Sequence, residues 1–115
     1  MTKGRLVRAT GLPDGPLDAA AAFHERILPD IRGDLDGVEH IVVVFDAADH
    51  AHEDWRLAAI RGLARDAAPC RVNGVVGLLD ASQAMAESIR FLDDSPGITG
   101  QLFALDGIGA GNPAN

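Results

Sequence analysis

The 115-residue chain contains no tyrosine, one cysteine and one tryptophan, and aromatic residues make up only 4% of it. Each scarcity closes a route. Without tyrosine there is no phenol to act as a general acid. Cys70 alone cannot form an internal disulfide, and its place between Pro69 and an apolar stretch reads as a structural thiol rather than a nucleophile. No basic segment followed by an apolar run opens the chain, and no apolar run approaches a membrane span. The cytoplasm is therefore the default location, and no membrane partner is expected. Basic residues are few: 10 Lys and Arg against 17 Asp and Glu give a formal net charge of -7. Nucleic-acid affinity rests on phosphate neutralisation by clustered Lys and Arg, so DNA and RNA are excluded as partners. The negative charge mainly favours solubility.

What the chain does have is aliphatic. Hydrophobic residues reach 47%, so the core must come from Ala, Val, Ile and Leu. That suits parallel strands covered by alanine-rich helices. Arg5 to Thr10 alternates like a short strand and ends in the turn chemistry of Gly11-Leu12-Pro13-Asp14-Gly15-Pro16. Leu17, Ala20, Ala21, His24, Ile27, Leu28 and Ile31 recur at helical spacing, with Pro29 expected to kink or end that helix. Ile41-Val42-Val43-Val44-Phe45 is a continuous β-branched run, the pattern of a central strand buried on both faces.

Asp49 is the expected N-cap of a second helix carrying Leu57, Ile60, Leu63, Ala64 and Ala67 on one stripe, which Pro69 closes. Arg71 to Val76 is a third strand. Asp80 and Gln83 match a capping box for a third helix with Ala81, Met85, Ile89 and Leu92 on its apolar face. Asp93 to Gly97 breaks it, and Gln101 to Leu105 forms a fourth strand. The reading is an α/β chain in the order β-α-β-α-β-α-β with a four-stranded, mainly parallel sheet. It forms one domain over residues 1–108 and a flexible tail over 109–115. If every crossover is right-handed, the helices gather on one face and the other face needs cover, most simply from a partner chain.

Several stretches carry a family resemblance. Ala58-Ala59-Ile60-Arg61-Gly62-Leu63-Ala64-Arg65-Asp66-Ala67-Ala68-Pro69, then Arg71-Val72-Asn73-Gly74-Val75-Val76-Gly77, then Ile98-Thr99-Gly100-Gln101 with Asp106-Gly107 occur in order and near-right spacing. Together they resemble the C-terminal half of a short-chain dehydrogenase/reductase, nearest the 3-oxoacyl-acyl-carrier-protein reductase type. The resemblance implies a truncated Rossmann-like domain. It also implies where the chemistry of that family should lie, and there the chain departs. The family's Tyr, four residues before a Lys, falls at Glu53 and its Lys at Leu57. A register slip brings Arg56 to the Lys position without restoring the acid. No glycine-rich loop stands between a first strand and a helix to meet a pyrophosphate. Gly107-Ile108-Gly109-Ala110-Gly111-Asn112 has glycines but no helix after it, and reads as tail. No cofactor is therefore expected.

The densest remaining polar group is Asp46, Asp49, His50, His52, Glu53 and Asp54, at the carboxyl end of the central strand, where open α/β sheets bind ligands. Asp46, Asp49, His50 and Glu53 are candidate ligands for a divalent metal. The competing reading is a solvated helix start whose acids cap free amides. His40 carries no signal of its own. Two functions stay open. One is a catalytically silent domain acting by self-association, with a dimer favoured, or by binding a full-length reductase-like protein. Its interface candidates are Phe23, His24, Ile27, Trp55, Leu57, Ile60 and Arg61, although Trp55 equally suits packing inside the domain. The other is a small-ligand or metal binder, or a minor enzyme, using Asp46 to Asp54.

Overall fold

The computed structural model describes residues 4–77 and 83–104. Its elements follow the expected order: β1 (Gly4–Ala9), α1 (Pro16–Ala22), a π-helical turn (Phe23–Ile27), α2 (Leu28–Gly33), β2 (His40–Phe45), a 3₁₀ turn (His50–His52), α3 (Glu53–Ala67), β3 (Arg71–Val76), α4 (Gln83–Asp93) and β4 (Leu102–Ala104). The strands form one sheet in the order β1-β2-β3-β4, every pair parallel. The β-branched run at β2 is buried over all six residues, as its composition requires. Asp80, Ala81, Leu105 and the 109–115 tail lie outside the described residues.

The cover of the sheet differs from the simple expectation. Ile41, Val43, Phe45 and Val72 pack with Phe23, Ile31, Ile60 and Leu63, so α1, α2 and α3 share one face. Val42, Val44 and Val75 pack with Met85 and Leu92, which places α4 on the other. All three connections step the same way across a parallel sheet, so helices on opposite faces mean opposite hands. Right-handed crossovers dominate strongly, and the connection through α4 is the left-handed exception. α4 thus covers the second face over β2 and β3, while on β1 Leu6 and Arg8, in register with Val42 and Val44, stay exposed there.

The first helix also departs from its sequence pattern. Ala19, Ala22, Phe23 and Ile31 are buried, whereas Leu17, Ala21 and His24 are exposed. Two causes combine. Alanines define a stripe weakly, and the π-helical turn inserts an extra residue before α2, with Leu28 N–H donating to the Phe23 carbonyl. In an unbroken α-helix, Pro29 would clash with the carbonyl four residues back. The widened turn accommodates it, and the helical path continues to Gly33 instead of ending.

β3 and α3 approach closely because residue 74 has no side chain. A Cβ there would meet Leu102 Cδ1 at 2.8 Å and Ile60 Cγ1 at 3.0 Å. Gly74→Ala is expected to destabilise the fold by about 1–3 kcal/mol through overpacking. Urea denaturation measures this, and an unchanged midpoint would contradict the tight approach.

Candidate functional site

At the amino ends of the strands, polar groups are almost fully paired. Asn73 Oδ1 accepts from Gln101 N–H at 3.0 Å, which fixes the amide orientation. Asn73 Nδ2 then donates to the Ile98 carbonyl and to His40 Nε2, at 2.9 and 3.0 Å. His40 Nε2 is therefore an acceptor, and Nδ1–H donates to Asp93 Oδ1 at 2.7 Å. The ring is neutral and wholly buried. Arg71 closes the group by donating to the carbonyls of Leu92, Asp93 and Ser95, which caps the carboxyl end of α4. Thr99 Oγ1 accepts from Val72 N–H, and Gly100, at φ 74°, donates its N–H to the Val72 carbonyl. The Arg71-Val72-Asn73 and Thr99-Gly100-Gln101 motifs thus tie α4 and β4 to β3. His40, which its sequence context left without a role, is the hub.

At the carboxyl ends, the acidic group is dispersed. Asp46 Oδ2 accepts from Gly11 N–H at 3.2 Å, and Asp49 Oδ1 accepts from Ala51 N–H at 3.1 Å, capping the 3₁₀ turn that leads into α3. His50 and Glu53 pair with each other at 3.3 Å, their side chains 91% and 63% exposed. Among the described residues no three His, Cys, Asp or Glu side chains come together as a metal site. Asp49 therefore caps the 3₁₀ turn rather than α3 itself, whose N-cap is His52 and has no side-chain cap bond. His52 is buried, with Nδ1 accepting from Trp55 Nε1–H and Nε2–H donating to the Asp14 carbonyl, so it holds the loop after β1 against α3.

Arg56 is the residue that sequence reasoning undervalued. It is only 6% exposed. Its guanidinium lies 4.7 Å from the Phe45 ring centroid, and Nη1 donates to the Asp46 carbonyl at 3.0 Å. Buried Nε finds no acceptor among the described residues. Burial pushes its pKa down, with Asp46 opposing. Arg56 lines a pocket of about 310 Å³ between the ends of β1 and β2, and a second of about 450 Å³ beyond β2, β3 and β4. Only the burial of a first-turn arginine in line with the apolar stripe of α3 marks it, and the stripe reads equally well without it. Cys70 is buried with its pKa raised by that burial, which suits a structural thiol.

The interface candidates divide. Phe23 and Ile60 are fully buried in the chain's own core and offer nothing to a partner. Trp55 is half-buried, within 5.8 Å of both the Phe23 and Phe45 rings. Ile27 and Leu57 are half-buried, while His24 and Arg61 are exposed. The outer side of the π-helical turn, α2 and α3 holds a groove of about 260 Å³ that includes Leu28, Ala58 and Gly62, with Arg32 and Asp66 3.4 Å apart at its edge. No described helix is long and apolar enough to cross a membrane.

A family model described as SDR-like, short chain dehydrogenase-like protein, matches residues 7–105. No curated protein and no solved structure matches the chain.

The His40 network sets a pH dependence. Burial lowers the His40 pKa below its usual 6.5; the Asp93 hydrogen bond opposes this and the Arg71 charge adds to it. The unfolded chain therefore takes up a proton that the native state resists. Stability is complete above the unfolded value and falls as pH drops below it, by at most about 1.4 kcal/mol per pH unit for one proton. Urea midpoints at pH 7.5 and 5.5 should fall more for the wild type than for His40→Gln. Equal falls would contradict the assignment.

Proposed function

The chain belongs to the short chain dehydrogenase-like family, and from that membership we propose that it is a non-catalytic member acting in the cytoplasm by pairing with a second copy of itself. The observation that carries this reading is Glu53. It occupies the place that the resemblance assigns to the family's proton-donating Tyr, is largely exposed, and is engaged with His50. A carboxylate there does not supply a phenol's proton-transfer chemistry, and the chain holds no tyrosine to take its place. Leu57, at the expected Lys position, carries no charge.

The pairing surface is the groove on the π-helical turn, α2 and α3. Ala58 and Gly62 are small enough to let a partner helix approach, and Leu28 supplies apolar contact. Arg32 and Asp66 lie side by side and half-exposed. Across a two-fold axis such a pair is self-complementary, each Arg32 facing the Asp66 of the other copy. In the relatives that the chain resembles, the equivalent helices pair in this way. Exposed His24 and Arg61 extend the surface. Binding of a full-length reductase-like protein through the same face is the competing outcome.

Light scattering at about 200 μM should give twice the 12.0 kDa chain mass. Arg32→Asp should weaken the dimer about tenfold, roughly 1.4 kcal/mol. The double variant Arg32→Asp, Asp66→Arg should restore it. A strictly monomeric wild type would overturn the reading.

A further inference from the structure

The pocket between the ends of β1 and β2 carries chemistry that pairing does not use. Its volume, about 310 Å³, falls in the range of small-molecule sites. Arg56 in its wall is more than nine-tenths buried and has a buried Nε–H without an acceptor among the described residues. Among the described residues its hydrogen bond to the protein runs from Nη1 to the Asp46 carbonyl. The Phe45 ring covers one side of the guanidinium, and a further acceptor would meet the N–H groups in the guanidinium plane, where they point. A buried charged donor left unsatisfied costs free energy. A carboxylate removes that cost best, because its two oxygens match the guanidinium fork in geometry and sign.

The rim adds a second specification. Asp14, Asp46 and Asp49 surround the same pocket. A simple anion entering it meets three carboxylates, and a simple cation meets a buried guanidinium. Asp46 and Asp49 each commit one oxygen to a backbone N–H, of Gly11 and Ala51, and the second oxygen of each is not taken up by these bonds. His52 uses both ring nitrogens within the fold. The pocket therefore suits a molecule that carries both signs on neighbouring atoms. We propose that it binds a small zwitterion of the α-amino-acid type, its carboxylate on Arg56 and its ammonium group between Asp46 and Asp49.

Trp55 lies 5.8 Å from the Arg56 guanidinium and is the only tryptophan, so its fluorescence reports occupancy directly. The probes are glycine, L-alanine and L-serine, with acetate and methylammonium as single-charge controls, each titrated to about 20 mM and checked by thermal shift. At least one amino acid should give a saturable response. Acetate and methylammonium should each bind at least about tenfold more weakly, and Arg56→Lys and Asp46→Asn should each weaken the amino acid about tenfold or more. Both variants keep the wild-type packing volume. Should Arg56→Lys fail to fold, Asp46→Asn, altered at an exposed position, carries the test. No saturable response to any amino acid overturns the proposal. So does acetate or methylammonium binding as well as the amino acids, or unchanged binding in the folded variants. None of these outcomes depends on whether the chain is a dimer.

Discussion

The complete burial of β2 is the constraint on which the rest of the structure depends. Six consecutive residues, His40 to Phe45, are removed from water, so both faces of the sheet need cover. Successive right-handed crossovers across four strands in sequence order would cover only one face. The chain resolves this by carrying α4 across the opposite face through a connection of the other hand. That uncommon geometry needs fixing at its end. Arg71 binds three carbonyls at the carboxyl end of α4, and Asn73 and His40 connect the same segment to the strand floor. The hydrophobic requirement of one strand thus accounts for the topology, and the topology accounts for the polar network.

This division separates the two ends of the sheet chemically. At the amino ends each donor of the Asn73 amide and each nitrogen of His40 has a partner, which marks that group as structural. At the carboxyl ends the polar groups converge less completely, and the buried Arg56 has a donor without an acceptor among the described residues. In the proposed reading, Glu53 stands where the resemblance places the family's proton donor. Binding without redox chemistry, at a helical face and in a pocket, is consistent with both ends.

The strands were legible because they depend on local composition. The β2 run follows directly from its β-branched residues, Arg71–Val76 keeps its expected bounds although Asn73 and Gly74 are poor strand formers, and Asp49 caps the 3₁₀ turn ahead of the helix it is expected to open. What escaped the sequence was non-local. His40 meets Asn73 and Asp93 at separations of 33 and 53 residues, and no spacing rule connects them. Arg56 occupies the core side of α3, where a charged residue is read by default as solvated. The phase of the first helix failed because a π-helical turn at Phe23 to Ile27 adds a residue that 3.6-residue periodicity does not contain. The face of α4 failed because a rule of handedness that nearly always holds does not hold here. The same motifs that suggested the family, Arg71-Val72-Asn73 and Thr99-Gly100-Gln101, proved to be fasteners of that exceptional connection.

The central claim is that this fold serves binding without the nicotinamide chemistry of the enzymes it resembles. The most direct measurement is a titration of the purified chain with NADH and NADPH, followed by Trp55 fluorescence and by melting temperature. The account predicts no saturable change in either signal with either dinucleotide. A saturable rise in melting temperature that follows mass action, with matching fluorescence, would contradict it.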